Sequence, residues 1–207
     1  NLKREELLAD RQAPRVASSW IVVAARSEVQ PDKLRRLETW LLNAAPAEGA
    51  APFALLVDYV PVSAGVSASP FAAGETLAGE VVYYPSATPL RGLLATRTPC
   101  RDATAWPALP DTLETAFAAY ETALTRQPWI EAWPLAAAGV TLERAASDRL
   151  VLTGAEGLAL PLESRQTEAL LPLLGLGAFS AILLWDGRCA TLLAADTSIG
   201  AWHQSYY

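Results

Sequence analysis

Apolar and polar positions divide the chain into a β-patterned first half and a mixed second half. SWIVVAAR (19–26) is a short apolar run with β-branched residues. In PFALLVDYVP (52–61), Phe53, Leu55, Val57 and Tyr59 alternate with Ala54, Leu56, Asp58 and Val60. In TLAGEVVYYP (76–85), Leu77, Gly79, Val81 and Tyr83 alternate with Ala78, Glu80, Val82 and Tyr84. Period two over such lengths predicts strands, and both runs stop at proline, which cannot donate to a sheet ladder. PDKLRRLETWLLN (31–43) fits two templates. Leu34, Leu37 and Leu41 behind Asp32 have helical spacing and favour a helix, while Leu37, Thr39 and Leu41 also fit one strand face.

The second half opens with a helix pattern: Leu113, Phe117, Tyr120 and Leu124 fall on one face, and Pro128 stops it. Asp111 with Glu114 three residues on predicts a capping box, which satisfies amide donors left free at a helix start. Strands are predicted at GVTLERA (139–145), RLVLT (149–153) and LALPL (158–162), the last two joined by a turn at Gly154–Gly157. Ser164 starts a short helix through Leu171, closed by Pro172 and Gly175. AFSAILLW (178–185) and RCATLLAA (188–195) flank Asp186-Gly187, the strongest two-residue hairpin signature present. No internal repeat is evident to the eye.

TRTPCRDATAWPALPD (96–111) has three prolines and no period, which marks a linker. The expected organisation is an N-terminal helical segment (1–14), a β-rich barrel-like module (15–97), a linker (98–110) and an acidic helix-plus-antiparallel-sheet domain (111–207). The fold class is α+β, because a helix laid on an antiparallel sheet buries these faces.

At 207 residues and 52% hydrophobic content, the chain can bury a sizeable core, which excludes a disordered tail or a coiled coil. Residues 1–110 carry eleven basic and eleven acidic side chains; residues 111–207 carry five and eleven, giving the net charge of −6. A protein held mainly by phosphate contacts needs the opposite sign. One His and two Cys leave little material for a metal site or histidine catalysis. Cys100 and Cys189 read as idle thiols, the start NLKREELLAD has no signal-peptide core, and no apolar run spans a bilayer, so a cytoplasmic location is expected. The absence of Met and the start at Asn1 lead us to expect a fragment or processed product.

Glu5, Glu6, Leu7 and Leu8, then Trp20, then Leu34, Arg36 and Trp40, then Phe53, Ala54, Leu55 and Asp58, then Glu80, Tyr84, Pro85, Pro89, Leu90 and Arg91 form an ordered set of motifs. In that order, over roughly residues 4–95, the chain resembles the region downstream of the zinc finger in bacterial SWIM-type zinc finger proteins. The resemblance implies a strand rather than a helix over 34–42. It also implies protein partners, since such proteins are encoded beside MoxR-type AAA+ ATPases and von Willebrand factor A proteins. The family's Cys-x-Cys…Cys-x-His ligands are not found in this sequence, so zinc is not carried over to Cys100, Cys189 or His203. No cofactor is expected in this chain.

Asp58 and Glu80 are the acids inside otherwise apolar strands of the first half. They suit either a carboxylate pair for acid/base work or a structural network with Arg36 or Arg91. Tyr84, Pro85, Pro89 and Arg91, in YYPSATPLRG (83–92), suit a stiff partner-binding loop whose guanidinium matches a carboxylate or phosphate. The alternative is a rigid connection with Arg91 paired internally. Arg26, Lys33, Arg35, Arg36, Arg91 and Arg97 lie among Trp20, Trp40, Tyr59, Tyr83 and Tyr84, the composition by which OB-like barrels hold single strands. The competing reading makes those aromatics core and those cations partners of nearby acids. Gly175-Leu-Gly177 follows a helix, the wrong order for a phosphate loop, and reads as a helix end. His203 reads as a plain terminal residue, and Trp129 with Trp133 as glue between subdomains. The expected function is a non-catalytic scaffold and protein-interaction region. A single-stranded nucleic-acid module stands second and a hydrolase using Asp58 and Glu80 third.

Overall fold

The computed structural model describes residues 3–100, 105–146 and 148–204. Two compact units divide them, one running to Pro107 and one from Ala108 to Gln204. The molecule is α+β, with strands far outweighing helices. Among the described residues no helix is long and apolar enough to cross a membrane.

The first unit contains α1 (Arg4–Ala9), β1 (Arg15–Val29), β2 (Leu34–Asn43), β3 (Phe53–Pro61), β4 (Thr76–Tyr83) and β5 (Arg91–Pro99). The strands close into a barrel in the order β1-β2-β3-β5-β4. β1 is long enough to pair with β4 through its first half and with β2 through its second. A bulge between Val22 and Ala24 lets it bend from one neighbour to the other. Closure comes from a short parallel contact, Leu55 opposite Arg91 and Leu56 opposite Gly92. This is the five-stranded Greek-key arrangement of OB-type barrels. Trp20, Val22, Leu41, Leu56, Leu77, Val81 and Tyr83 fill the interior. Its two largest aromatics are satisfied there: the Trp20 indole donates to the Gly79 carbonyl (3.1 Å) and the Tyr83 hydroxyl to the Phe53 carbonyl (3.0 Å). α1 seats Leu7 against Ala13, Val82 and Leu93.

Residues 34–43 form a strand, as the resemblance implies, rather than the helix that the leucine spacing favours. They pair on both sides, with Leu37 opposite both Ser27 and Asp58. Asp32 does not cap a helix; its carboxylate accepts from the Leu34 amide (3.1 Å), and Lys33 takes φ 61°, closing a turn. The linker also starts later than expected, because β5 runs to Pro99. Its Thr96, Arg97 and Thr98 are exposed, so its outer end carries no apolar period. Residues 101–104 of the expected linker, and the ends of the chain at 1–2 and 205–207, lie outside the described residues.

The second unit contains α2 (Leu113–Arg126), β6 (Trp133–Arg144), β7 (Leu150–Thr153), β8 (Ala159–Pro161), α3 (Thr167–Leu170), β9 (Phe179–Trp185), β10 (Ala190–Thr197) and β11 (Gly200–His203). The sheet order is β11-β10-β9-β6-β7-β8. α2 begins one residue later than expected: Thr112 is the cap, its hydroxyl accepting from the Thr115 amide (3.2 Å). The Glu114 amide is taken instead by the Glu156 carboxylate (3.1 Å). β6 starts six residues before the predicted run, with Pro134 inside it, and β11 has no counterpart in the sequence reading. Leu113, Leu135, Leu152, Leu170, Leu183 and Leu192 form the centre of the core, with Trp133 packed on it. Trp129 is 76% exposed, so the expected role as glue does not hold for it.

The sequence shows no repeat, yet the two units repeat one another in backbone. β6 pairs with both β7 and β9, as β1 pairs with both β2 and β4. Moving 115 positions along the chain carries Val22 onto Ala137, and β6 is irregular between Ala137 and Val140. The same step carries the β1–β2 turn onto the β6–β7 turn. The Gln30 amide bonds to Leu34 O and Lys33 to Gln30 O; Ala145 bonds to Arg149 O and Asp148 to Ala145 O. Lys33 (φ 61°) and Asp148 (φ 64°) are the described non-glycine residues with positive φ. The closing contact recurs as a parallel bridge between Leu162, beyond the end of β8, and Ala190 of β10. The units differ between their third and fourth strands. β8 reaches β9 through α3 and its flanking 3-10 turns, with Leu170 and Leu173 buried; β3 reaches β4 through one 3-10 turn, 62–64, and an exposed loop.

Gln166, 2% exposed, fixes that helical connection to β10. Its amide oxygen accepts from the Leu192 amide (2.9 Å), and its nitrogen donates to Leu192 O (2.8 Å) and Gln204 Oε1 (2.6 Å). These bonds sit at the β10 bulge between Leu192 and Ala194, where the regular ladder is interrupted. Gln166→Leu leaves two buried backbone groups unpaired and is expected to lower unfolding free energy by about 2–4 kcal/mol, read by urea denaturation. Gly79→Ala places a Cβ 2.3 Å from the Thr96 carbonyl oxygen, a backbone atom held in the ladder. A loss of about 1–3 kcal/mol in the same assay is expected, and an unchanged midpoint would contradict the β4–β5 register.

Candidate functional site

The β4–β5 hairpin carries the loop singled out in the sequence. Tyr83 pairs with Gly92, and beyond them the Tyr84 amide donates to Arg91 O (2.9 Å), so the loop springs from a closed ladder. Pro85 and Pro89 restrict φ at its two ends. Between them the Thr88 amide donates to the Ser86 hydroxyl (3.2 Å). The Leu55 amide donates to Leu90 O (2.8 Å), tying the end of the loop to β3. Tyr84 is half-buried against the Leu7–Val82–Leu93 cluster. The Arg91 guanidinium carbon lies 5.1 Å from its ring centroid, which holds the cation by its face at the protein surface. Arg91 is exposed and makes no ion pair with any described carboxylate.

Asp58 and Glu80 do not join this loop or each other. They lie on β3 and β4, and β5 runs between those strands. Asp58 takes Arg4 (3.4 Å), and Glu80 takes Arg15 (2.9 Å). Arg15 also donates to Leu8 O (2.7 Å) and Asp10 O (3.1 Å), so the Glu80 pair moors the end of α1 to the barrel. The expected sharing with Arg36 or Arg91 is therefore corrected: Arg36 pairs with Glu38 (2.5 Å), and Arg91 stacks on Tyr84. Sequence separations of 54 and 65 residues gave no cue to either partner.

The basic and aromatic residues that suited a nucleic-acid platform are mostly engaged inside the fold. Trp20, Trp40 and Tyr83 are buried, and of the five aromatics only Tyr59 is exposed. Arg97 pairs with Glu75 (2.8 Å) and lies over the Phe71 ring (4.5 Å). Arg35 donates to the Ser27 hydroxyl (2.9 Å) and Ser67 O (3.4 Å).

Both thiols are free and half-buried. Burial, and then the charge of Asp186, push the Cys189 thiol up. Backbone amides of Cys189 and Arg188, each 2.8 Å away, hold the Asp186 carboxyl below the usual range and close the β9–β10 turn at Gly187 (φ 90°). His203 lies on β11 opposite Ala194. Gly175 and Gly177, both at φ 79°, lead from the helical segment into β9. No group of three or more His, Cys, Asp or Glu residues arranged to hold a metal ion occurs among the described residues. Compared with family models, with curated proteins and with solved structures, the chain gives no match.

Burial raises the Tyr83 phenol well above its usual value near 10. Below about pH 10 both folded and unfolded chains keep this proton, and it contributes no pH dependence. Above about pH 10 the unfolded chain releases it first, so stability falls as pH rises. Tyr83→Phe is expected to cost about 1 kcal/mol at pH 7 through the lost bond to Phe53 O. Its deficit relative to wild type should shrink between pH 10 and 11.5 in denaturant titrations; a constant deficit contradicts the buried phenol.

Proposed function

We propose that this chain is a non-catalytic scaffold whose first barrel docks a protein partner through the β4–β5 loop, with Arg91 receiving an acidic side chain. The observation that carries this is the state of Arg91. Among the arginines of the barrel strands it is exposed, pre-oriented on Tyr84 and free of carboxylates, whereas Arg15, Arg36 and Arg97 are ion-paired. A guanidinium so held loses little freedom on meeting a carboxylate, and its planar donors favour that acceptor. Asp58 and Glu80, the third-ranked candidates for acid/base work, are engaged with arginines, which supports a structural role for them. Of the residues that suited a single-strand platform, Trp20, Trp40 and Tyr83 are buried and Arg36 and Arg97 are ion-paired, which favours the scaffold reading over that alternative.

The resemblance to the region downstream of the finger in SWIM-type proteins supports the same reading. It proposes a MoxR-type AAA+ ATPase or a von Willebrand factor A protein as partner, met in the cytoplasm. Calorimetry of the chain against each of these proteins tests it, with oligo(dT) and oligo(rU) titrated in parallel at low salt. Binding to one of the proteins is expected, weakened at least tenfold by Arg91→Glu, with no oligonucleotide binding. Salt-sensitive binding of the oligonucleotides alone overturns the proposal.

A further inference from the structure

The second unit fills a place beside β10 that the first unit leaves open beside β5. These two strands correspond residue for residue, 98 positions apart. Gly92 lies opposite Tyr83 as Ala190 lies opposite Trp185. Ala95 is the residue left out of the β4–β5 register, between Leu94 and Thr96, and Leu193 is left out of the β9–β10 register, between Leu192 and Ala194. The preceding turns agree as well: the Tyr84 amide donates to Arg91 O (2.9 Å) and the Asp186 amide to Cys189 O (3.3 Å). Both strands begin at a parallel contact, β5 with β3 at Arg91 and Gly92 and β10 with Leu162 at Ala190.

Beyond that contact the two strands differ. β10 is paired on its outer side by β11, with Thr197 opposite Gly200, Ala195 opposite Trp202, and the Gln204 amide donating to Leu193 O (3.0 Å). The matching residues of β5 are Pro99, Arg97 and Ala95, and among the described residues no ladder pairs them on that side. Thr96 to Pro99 are exposed. The Cys100 amide donates to Thr76 O (3.0 Å), so alternation turns Thr98 toward β4 and turns Arg97 and Pro99 toward the open side. Pro99 thus has its missing amide where no ladder bond is lost. The open side offers the Arg97 amide, the carbonyls of Arg97 and Pro99, and the Ala95 carbonyl that corresponds to Leu193 O. The Arg97 side chain is held by Glu75 and the Phe71 ring, so the opening is a matter of backbone alone.

We infer that the outer edge of β5 receives an extended segment of a partner protein, antiparallel to it, in the register that β11 takes on β10. The unpaired groups set the occupant's chemistry. Five extended residues are needed. The first, third and fifth supply amides to the carbonyls of Pro99, Arg97 and Ala95, which excludes proline there, and the third accepts from the Arg97 amide. A second copy does not meet these terms. Its β11 is already paired on its own β10, and its β5 in this register sets Pro99, without an amide, against the Ala95 carbonyl. Addition of a strand to a sheet edge is a recurrent mode of peptide recognition in which main-chain hydrogen bonds supply the affinity. The inference rests on the scaffold reading for its partner and takes nothing from Arg91.

The probe is the acetylated and amidated peptide SIGAWHQ, residues 198–204, which contains the strand that fills this place in the second unit. It is titrated into the full chain and followed by amide NMR. Shifts concentrated at Ala95, Arg97 and Thr98 are expected, with at least tenfold slower hydrogen exchange at the Arg97 amide. Methylating the backbone nitrogen of the peptide's tryptophan removes the donor to Arg97 O and should weaken binding at least tenfold. Methylating that of its histidine, which faces away from β5, should leave binding unchanged. Arg91→Glu should also leave it unchanged, which separates failure of this edge from failure of the loop. Equal binding of the two methylated peptides, shifts confined to β10, an unprotected Arg97 amide at saturation, or no shift at millimolar peptide overturns the inference. A concentration-dependent dimer that the peptide dissociates also overturns it, in favour of a second copy as occupant.

Discussion

Closing the first sheet on itself depends on the short parallel contact between β3 and β5. Leu55 and Leu56 meet Arg91 and Gly92 there, and among the described residues no other ladder pairs those strands. At the same position Gly92 lets β5 lie close to β4: a Cβ there would stand 2.7 Å from the Val81 side chain and 3.0 Å from the Val82 carbonyl oxygen. Without closure β3 and β5 become sheet edges with unpaired donors and acceptors, which proteins cover or pair. With it, the residue just before Gly92 is held at the surface. Arg91 owes its position to the same contact that completes the barrel.

The ion pairs that engage the two acids come from other contacts: Arg15 reaches Glu80 across the β1–β4 ladder, in which Arg15 lies opposite Val82, and Arg4 on α1, which packs on Val82 and Leu93, reaches Asp58. Exposed pairs of this kind contribute little stability, up to about 1 kcal/mol each. Their consequence is chemical. Two carboxylates that the sequence offered for catalysis are engaged, and an arginine that it offered as their partner is left at the surface on a tyrosine face. Burial has a similar effect on the aromatics, since Trp20 and Tyr83 spend their polar atoms on barrel carbonyls.

The two units show how far one backbone plan tolerates different side chains. β1 is irregular after Val22 against β2 and β6 after Ala137 against β9, and the left-handed residue of the first turn is Lys33 in one unit and Asp148 in the other. A bulge and a turn are set by backbone hydrogen bonds, which do not dictate a residue type at each position. The repeat therefore left no side-chain period in the sequence. Where the units diverge, in the path from third to fourth strand, one buries leucines on a short helix and the other exposes valines on an uncharged loop.

Alternation determined β3 and β4, because a half-buried strand imposes a period of two on its residues, and continuous apolar runs marked the buried parts of β1, β9 and β10. Asp186-Gly187 likewise determined its hairpin, because the turn needs positive φ at a position only small residues tolerate well. The α+β class followed from these elements. Tertiary structure decided what those local rules leave open. β2 satisfies helix and strand periods alike, and only its two flanking ladders made it a strand. β5 ends in exposed threonines and an arginine, and β11 is four residues long, so neither has a period to read. Which arginine meets Asp58 and which meets Glu80 depends on contacts more than fifty residues apart in sequence. Local preference acts within a few residues of itself, whereas ion pairing and barrel closure act through space, and only the folded chain brings their partners together.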